Sequence, residues 1–360
     1  MRAFLCTAGS ESALVDEIAR AGRPGKVAQL APGVVALDGA DSADGAKHDD
    51  DPDPVFARQT LPGAIAVEGA SVRALAETIF AAIDDPVDGW PGPFLLHALT
   101  HAEPPPGLGS RAALIAREVL ALLDGRRRRA FRRHRSSDDL AAPFDDRCLL
   151  VQLLALTRER FLVSVAAPRP LPTGGFDLAR WPGGDAPVAT DRAPPSRAYQ
   201  KLEEAFCWLE AAPRAGEVCV DLGAAPGGWT ATALKRGARV VAVDRAPVAL
   251  SLARHPHLSM TIGNAFTYAP TAPVDWLLCD VVCEPQRSLA LVDSWLSGGL
   301  CRNLVVTVKF KGRDGYGALD ALPPIFARVR PAFARVKQLA HNKNEVTVMV
   351  RKAEAPSKMI

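Results

Sequence analysis

The segment VCVDLGAAPGGWT has the residue types of a ligand-binding turn between a strand and a helix. An apolar strand ends at Asp221, and Gly223 permits a tight turn directly after it. Gly227 and Gly228 carry no side chain, so a ligand can approach the backbone there. Asp244 ends the next strand, where doubly wound folds place the acid that binds a ribose hydroxyl. Since neither GxGxxG nor a P-loop lysine is present, the pattern predicts a site for a ribose-bearing ligand; a plain turn with an incidental acid is the alternative.

The segment VVTVKFKGRDGYG raises a second chemical question. Apolar and β-branched residues run into Lys309, and a glycine-rich loop follows. Lysine is among the residues that are least often buried, so its place at the end of a core strand needs a reason. Burial disfavours the charged form of a lysine, and the neutral amine is the form that accepts a proton.

Length and composition limit the kind of protein to which these two segments belong. The chain has 360 residues, more than one typical core holds, so we expect two or three domains. Hydrophobic residues make up 48% and charged residues 23%, which is an ordinary globular composition. A net charge of +3 does not by itself indicate a nucleic-acid-binding protein, so the distribution of charge along the chain is more informative.

Cysteine usage and hydropathy predict the compartment. The chain has seven cysteines and no CxxC pair, and most of them lie in apolar runs. We interpret them as buried free thiols in a reducing compartment, and we predict no metal site. The first residues lack a long apolar stretch with an A-x-A site, and no segment reaches about 18 uninterrupted apolar residues. A cytoplasmic protein without a membrane segment is therefore expected, with a monomer favoured.

The elements that must position these residues divide the chain into four parts. Short strands and two helices predict a small α+β domain over residues 1–90. A helix, an arginine run and two apolar strands predict a second unit over residues 91–170. A linker rich in proline and glycine follows over residues 171–197. Strands and helices alternate over residues 198–360, which predicts an α/β fold with a doubly wound sheet and a terminal antiparallel hairpin.

The string DLGAAPGGWT resembles the S-adenosylmethionine loop of the FtsJ-like ribose 2′-O-methyltransferases. The resemblance implies that residues 198–360 form a Rossmann-fold methyltransferase domain with S-adenosylmethionine as its cofactor. It also implies a cofactor site built from this loop and from polar residues at later strand ends. The cofactor-binding residues implied in this way are Gly223, Ala225, Pro226, Gly227, Gly228, Trp229, Asp244, Asn264 and Asp280.

The same resemblance implies a catalytic Lys-Asp-Lys-Glu tetrad. The segment SRAYQKLEEAF places Lys201 near the start of a helix, and WLLCDVV ends a strand near Asp280. The segment VVTVKF presents Lys309, and NEVTVMV begins a strand with Glu345. All four residue types occur in the order of the family, each at the end of a strand or helix. Taken singly, each also fits a plain role such as a surface lysine or a surface ion pair.

Such a tetrad suits methylation of a ribose hydroxyl. The hydroxyl is too weakly acidic to ionise at neutral pH, so a base must take its proton as the methyl group arrives. Lys309 is the predicted general base, because burial and the neighbouring Lys201 disfavour its charged form. Asp280 and Glu345 are predicted to orient the two ammonium groups. The cofactor brings the electrophile, so the protein mainly aligns it with the 2′-oxygen.

Longer segments narrow the resemblance further. PPSRAYQKLEEAFCWL, CDVVCEP and QLAHNKNEVTVMVRK together resemble the bacterial 23S rRNA ribose methyltransferase M family. That resemblance implies one cytidine of 23S rRNA as the target, in free rRNA or in an early large-subunit particle. It also implies a ferredoxin-like segment and a THUMP RNA-binding domain before the catalytic domain. Three residues depart from the family pattern: Asn264 replaces an acid, Ala198 a serine and Ala225 a cysteine.

The arginine-rich segment RRRRAFRRHR has seven arginines in ten positions. Because no acid lies between them, they favour contact with RNA phosphates, and a solvated face without a partner is the alternative. Lys311, in the loop after Lys309, is also assigned to RNA phosphate. The predicted RNA-binding residues are Arg126, Arg127, Arg128, Arg129, Arg132, Arg133 and Lys311.

Two other functions stay open at this point. An RNA base methyltransferase is one, although enzymes that modify exocyclic amines carry Asn/Asp-Pro-Pro-aromatic where this chain has DVVCEP. Enzymes that modify C5 of pyrimidines need a cysteine nucleophile, and Cys283 lacks the usual preceding proline. A non-catalytic RNA-binding or ribosome-assembly protein that keeps the fold is the other.

Overall fold

The computed structural model describes residues 1–39, 53–136, 144–312 and 315–352. The chain divides into two compact units, Met1–Asp185 and Ala186–Ile360. Among the described residues, no helix is both long enough and apolar enough to cross a membrane.

The described residues of the first unit form two β-sheets with helices packed on them. The elements are β1 (Arg2–Leu5), α1 (Glu11–Arg20), β2 (Lys26–Ala31), β3 (Val34–Asp38), β4 (Gln59–Leu61), β5 (Ile65–Glu68), α2 (Val72–Gly89), β6 (Phe94–Thr100), α3 (Leu108–Arg126), α4 (Arg128–Phe131), β7 (His134–Arg135), β8 (Leu149–Ala155), β9 (Arg160–Ala166) and a 3-10 helix at Pro182–Gly184.

The first sheet has four antiparallel strands in the order β2-β3-β1-β4. The second has five strands in the order β5-β9-β8-β6-β7. Every residue of β8 is buried, as expected of a central strand that is covered on both faces. The helix α3 buries one face against this sheet, at Ala112, Ile115, Ala116, Val119 and Leu123. The predicted hairpin of two apolar strands is confirmed as the antiparallel pair β8 and β9.

The strands are not grouped as the predicted division at residue 90 requires. β5 pairs with β9, and α2 packs against α3, so both belong with the second sheet rather than with residues 1–39. The predicted linker is also divided, because residues up to Asp185 belong to the first unit. Both corrections have one cause: pairing between distant segments decides which elements share a core. The ferredoxin-like segment and the THUMP domain stay predictions.

The second unit contains one seven-stranded sheet. Its elements are α5 (Tyr199–Leu209), β10 (Val218–Leu222), α6 (Gly228–Lys235), β11 (Arg239–Asp244), α7 (Leu250–Ala253), β12 (Leu258–Ile262), β13 (Val274–Cys279), α8 (Pro285–Ser297), β14 (Cys301–Lys309), a 3-10 helix at Tyr316–Ala321, α9 (Leu322–Val329), β15 (Phe333–Lys337) and β16 (Glu345–Arg351).

The order of the strands is β12-β11-β10-β13-β14-β16-β15. The first five are parallel, and β16 runs antiparallel to both β14 and β15. From β10, the chain first adds β11 and β12 on one side and then adds β13 and β14 on the other. The switch point, where doubly wound sheets bind ligands, therefore lies between β10 and β13. The predicted α/β fold with a terminal antiparallel hairpin is confirmed.

Candidate active site

The topology of the seven-stranded sheet brings three predicted catalytic residues to one edge. Because β13 and β14 are parallel, their carboxyl ends lie at the same edge of the sheet. Asp280 directly follows β13, and Lys309 is the last residue of β14. β16 runs the opposite way, so it begins at this edge, and its first residue, Glu345, pairs in register with Lys309.

The four predicted catalytic side chains form one cluster of ion pairs, which we call the tetrad. Lys201 Nζ lies 2.6 Å from Asp280 Oδ2 and 3.1 Å from Glu345 Oε1. Lys309 Nζ lies 2.9 Å from Asp280 Oδ1 and 3.7 Å from Glu345 Oε2. Each carboxylate therefore bridges both ammonium groups. The side chain of Lys309 is 20% exposed and that of Lys201 11%, so Lys309 is the more open of the two.

Asp280 is the centre of this network. Burial alone would raise the pKa of its carboxyl, but the charges and hydrogen bonds of Lys201 and Lys309 outweigh burial and hold the pKa below its usual value. Thr307 donates its hydroxyl to Oδ1 at 2.7 Å. Lys309 also donates to the backbone carbonyl of Asp280 at 2.9 Å. Asp280 is thus ionised at neutral pH and fixes the position of both lysines.

Lys201 is held in the tetrad by the packing of α5. The residue before this helix, Ala198, accepts a hydrogen bond through its carbonyl from Trp229 Nε1 at 2.8 Å. Trp229 belongs to α6, and it is 3% exposed. The glycine-rich segment therefore helps to position Lys201 through its tryptophan. Since Ala198 contributes a backbone atom here, the loss of the family serine leaves this contact intact.

An open cavity of about 830 Å³ lies at the tetrad, and we call it the catalytic cavity. Lys201, Lys309 and Glu345 line it, together with the segment 340–344. Val282 also lines it and is 80% exposed, which is unusual for an apolar residue of this size. The charged tetrad is therefore open to a bound molecule large enough to fill the cavity.

A second cavity, of about 230 Å³, lies beside the switch point, and we call it the cofactor cavity. Val282 lines this cavity too, so the two cavities adjoin. Gly223, Asp244 and Asn264 line it, as predicted for cofactor-binding residues. Phe266 supplies an aromatic wall, and the Arg287 guanidinium lies 4.2 Å from the centre of that ring.

The residues of the cofactor cavity fit an adenosine-bearing cofactor. Gly223 has φ +77°, and a Cβ added there would lie 2.3 Å from Cγ2 of Val281, so a side chain at this position would intrude on the lining. The Asp244 carboxylate accepts backbone N–H groups of Ala225 and Ala246, each at 3.0 Å, which holds it in place. Carboxylate, amide and aromatic groups match the hydroxyls and the base of a nucleoside.

The other predicted cofactor residues do not line this cavity. They are Ala225, Pro226, Gly227, Gly228, Trp229 and Asp280. Gly227 has φ +114°, and an added Cβ would lie 2.5 Å from Leu252; one on Gly228 would lie 2.3 Å from the Ser196 hydroxyl. The left-handed backbone of Gly227 and the close approach of Ser196 to Gly228 therefore favour glycine at both positions, whatever their contact with a ligand.

Comparison with known proteins agrees with this geometry. Residues 194–320 match the FtsJ-like methyltransferase family. These residues form an FtsJ-like methyltransferase domain. The match includes Lys201, Asp280 and Lys309, whereas Glu345 lies beyond its end.

Relatives of this methyltransferase domain carry a ribosomal name. The Ribosomal RNA large subunit methyltransferase M of Pseudomonas syringae pv. syringae is 40% identical over 189 residues, 49% of this chain and 52% of that protein. The one from Pseudomonas putida strain GB-1 is 36% identical over 215 residues, 55% of this chain and 60% of that protein. The chain thus spans little more than half the length of the relatives it matches. One similar solved structure is that of a Burkholderia thailandensis 1,6-didemethyltoxoflavin-N1-methyltransferase. The match is 17% identical, spans 44% of this chain and 78% of the Burkholderia chain, and has a TM-score of 0.31.

The structure adds Glu204 to the residues that shape the catalytic cavity of the methyltransferase domain. It lies one turn after Lys201 on α5 and is 0% exposed. Its carboxylate accepts the backbone N–H groups of Ala340 and His341 at 2.8 and 3.0 Å, and it lies 2.8 Å from His341 Nδ1. It therefore holds the segment that leads to Glu345. In the sequence Glu204 resembles any acid of an amphipathic helix, and only its i+3 spacing from Lys201 was a signal.

Asp221 is a second buried acid whose environment was not predicted. It is 1% exposed and accepts a 2.6 Å hydrogen bond from the Thr230 hydroxyl. Burial raises the pKa of Asp221 to about 7, although the hydrogen bond from Thr230 opposes the rise. The turn of the methyltransferase domain thus contains a carboxyl that stays partly protonated near neutral pH.

Two arginines of the arginine-rich segment are paired within the first unit, and their contact with RNA stays a prediction. Arg126 makes two 2.7 Å hydrogen bonds to Glu77, and Arg127 makes bonds of 2.7 and 2.6 Å to Asp84. Both acids lie on α2, so these arginines join the end of α3 to that helix. Arg133 donates to backbone carbonyls of residues 87 and 88. Within this segment Arg128, Arg129 and Arg132 are exposed and have no ion-pair partner among the described residues.

Lys311 and the cysteines near the site have plain environments. Lys311 is 84% exposed and lies 2.5 Å from Glu284. Burial raises the pKa of the Cys279 thiol to about 12, so it is a core residue. The Cys283 sulfur lies 3.2 Å from the Ser288 hydroxyl.

Proposed function

We propose that the chain transfers a methyl group from S-adenosylmethionine to the 2′-hydroxyl of a ribose in 23S rRNA, with a cytidine as the target nucleotide. The observation that carries the proposal is the tetrad beside the cofactor cavity. Two lysines and two carboxylates of one buried cluster face an open cavity that suits a ribose. The ribosomal name of the relatives supports rRNA as the substrate.

When bound, S-adenosylmethionine supplies an electrophilic methyl group. The chain must then hold the 2′-oxygen in line with that methyl group and remove the hydroxyl proton. In the proposed reaction the oxygen forms its bond to carbon as the carbon–sulfur bond breaks, and the proton moves to a lysine amine.

Lys309 is the proposed general base. Lys201 is held between Asp280 Oδ2 and Glu345 Oε1 at 2.6 and 3.1 Å, so its ammonium is committed to both carboxylates. Lys309 is more exposed and lies 3.7 Å from Glu345, which leaves its amine accessible from the catalytic cavity. We assign Lys201, Asp280 and Glu345 to positioning the 2′-hydroxyl and the base.

The environment of the cysteines disfavours an RNA base methyltransferase that uses a thiol nucleophile. Cys279 is 1% exposed, and the pKa of its thiol is raised by burial. Cys283 lies by Ser288, among the residues of the cofactor cavity rather than those of the catalytic cavity. Neither cysteine is among the residues that line the space beside the tetrad.

We also propose that the first unit contributes RNA contacts through Arg128, Arg129 and Arg132, and the loop after β14 through Lys311. All four are exposed. Exposed guanidinium groups suit phosphate through bidentate hydrogen bonds.

The position of the transferred methyl group tests the proposal. The full chain is incubated with methyl-labelled S-adenosylmethionine and an unmodified 23S rRNA transcript, and the RNA is digested to nucleosides. We expect the label in 2′-O-methylcytidine, with the rate of its formation lowered by about a hundredfold or more in Lys309→Ala. Arg302→Ala is the matched control, because Arg302 lies at the opposite end of β14 and is 77% exposed. A label on the base would overturn the assignment of the ribose as the methylated group. A wild-type chain that transfers no label would overturn the proposed methyltransferase activity.

A further inference from the structure

A third cavity, of about 410 Å³, is formed by residues 190–200 at the entrance to α5. Arg197 and Gln200 line both this cavity and the catalytic cavity, so the two adjoin. We propose that this space, the flanking cavity, binds the nucleotide next to the methylated one in the RNA strand. Arg192 and Arg197 would contact its phosphate groups. The inference rests on the proposed function, since a polymer substrate must leave the catalytic cavity beside its reacting ribose.

The wall of the flanking cavity is held in place before any ligand binds. Tyr199 is 4% exposed; its hydroxyl accepts the Asp191 N–H at 2.6 Å and lies 3.3 Å from the Ala189 carbonyl. The Asp191 carboxylate accepts the Ala193 N–H at 2.9 Å and the Lys235 ammonium at 2.8 Å. Because the segment is fixed to α5 and α6, binding there loses little conformational entropy.

The charges on this wall suit an anionic ligand. The one carboxylate that lines the cavity, Asp191, is already paired with Lys235. Arg192 and Arg197 are both exposed, and neither guanidinium has an ion-pair partner among the described residues. Each guanidinium presents five N–H donors in a planar fork that matches phosphate oxygens. The cavity therefore has two unneutralised cations and no free anion.

The remaining lining suits a base rather than a second phosphate. Pro194 and Pro195 are half-buried and give a stiff apolar surface without backbone donors. Gln200 supplies an amide between the two cavities, which can donate to and accept from a base edge or a ribose. A phosphate contact, an apolar surface and an amide match one nucleotide of single-stranded RNA, the form in which proteins reach individual bases.

Salt-dependent RNA binding tests the flanking cavity independently of methyl transfer. The full chain, with its arginines intact or as Arg192→Ala/Arg197→Ala, is titrated with an unmodified 23S rRNA transcript at several salt concentrations. Loss of two phosphate contacts should reduce the slope of log affinity against log salt by about 1.4, because each single-strand contact contributes about 0.7. The KM for the transcript should rise at least several-fold, while the rate at saturation changes little.

Two control variants separate charge from position. Arg192→Lys/Arg197→Lys keeps both charges, so it should restore the salt slope while the affinity stays below that of the wild-type chain. Arg302→Ala removes an exposed arginine at the amino end of β14, seven residues from Lys309. At about 3.3 Å per residue it lies roughly 23 Å from the tetrad, and it should leave slope and KM unchanged.

If the double alanine variant binds the transcript with the affinity and the salt slope of the wild-type chain, the flanking cavity does not bind the neighbouring nucleotide. If the same preparation still methylates ribose and loses activity on Lys309→Ala, the proposed function stands while this inference fails. A wild-type chain that transfers no methyl group would overturn the proposed function, and with it the position of the cavity beside a methylated ribose.

Discussion

Basic side chains occur in two very different settings in this chain, the tetrad and the arginine-rich segment after α3. In the tetrad two lysines meet two carboxylates, and the four residues come from α5, the end of β13, β14 and β16. In the arginine-rich segment Arg126 and Arg127 pair with acids of one helix, and the groups are largely exposed. The tetrad is matched in charge and buried, whereas the arginine-rich segment has a surplus of exposed cations.

The difference shows that a high density of charged residues in a sequence does not by itself identify a catalytic site. An exposed guanidinium is hydrated and screened, so it serves association with phosphate and little else. A partly buried ammonium that is fixed by two carboxylates has a defined position and a defined environment, which proton transfer requires.

The largest effect is expected from the two lysines at the end of β14. Lys309→Ala should lower the rate of methyl transfer by about 10²- to 10⁴-fold, because a general base contributes about that much. Lys311→Ala, two residues along, should change the rate by less than about tenfold, since Lys311 is exposed and pairs with Glu284. Single-turnover transfer of labelled methyl to rRNA measures both. Equal losses in the two variants would contradict the assignment of the base.

Removal of one acid should distinguish the two settings by stability. Asp280→Asn leaves two adjacent ammonium groups with Glu345 as their remaining carboxylate, so the free energy of unfolding should fall by about 3–5 kcal/mol. Glu77→Gln removes the partner of an exposed Arg126 and should hardly move the unfolding midpoint in urea. The reverse order of the two midpoints would show that the tetrad is not the tightly coupled cluster described above.

Two acids of the methyltransferase domain should give opposite pH dependences of stability. The native chain keeps a proton on Asp221 up to a pKa of about 7, while the unfolded chain loses it near 3.8, so stability falls between these values by at most about 4 kcal/mol. The lowered pKa of Asp280 contributes stability above the usual aspartate range, and this is lost as the pH falls through its native pKa. Asp221→Asn should remove this fall in stability with rising pH, as measured by urea unfolding from pH 4 to 8. An unchanged pH profile would contradict the raised pKa.

Adjacent acids on α5 provide a smaller test. Glu204→Gln keeps the shape but weakens the charge-assisted hydrogen bonds to Ala340 and His341, so stability should fall by about 1–3 kcal/mol. Activity should fall with it, because the segment 340–344 lines the catalytic cavity. Glu203→Gln, whose side chain pairs with Arg236 and is 26% exposed, should have less effect on both. Chemical denaturation and steady-state kinetics compare the two, and a greater loss from Glu203→Gln would contradict the role of Glu204 in holding the segment 340–344.

The smallest effect is expected within the arginine-rich segment. Arg128→Ala/Arg129→Ala should reduce the salt slope of RNA binding by about 1.4 if each arginine contacts one phosphate. Arg126→Ala/Arg127→Ala should change the slope less, because these guanidinium groups are already bound to Glu77 and Asp84. Titrations with an unmodified 23S rRNA transcript measure both slopes. A larger change for the second pair would mean that RNA displaces the acids of α2.

Much of the second unit could be predicted because its local signals agree with one another. Apolar strands that end in Asp or Gly, alternating with helices, indicate a parallel sheet, and the residues at strand ends then share an edge. This is why Asp244, Asp280 and Lys309 were predicted in their correct places. The first unit was predicted less well, because β5 pairs with β9 across about ninety residues and no short pattern indicates such a pairing.

The sequence by itself determined an alternating α/β pattern with Lys201, Asp280, Lys309 and Glu345 near element ends, and the resemblance of DLGAAPGGWT to the FtsJ-like loop implied a methyltransferase domain. Only the tertiary structure decided which oxygen meets which ammonium, that Glu204 holds the segment before Glu345, and that Arg126 and Arg127 are bound by α2. The physical reason is that propensity and periodicity act over a few residues, whereas burial and charge pairing depend on side chains that distant segments bring within a few ångströms.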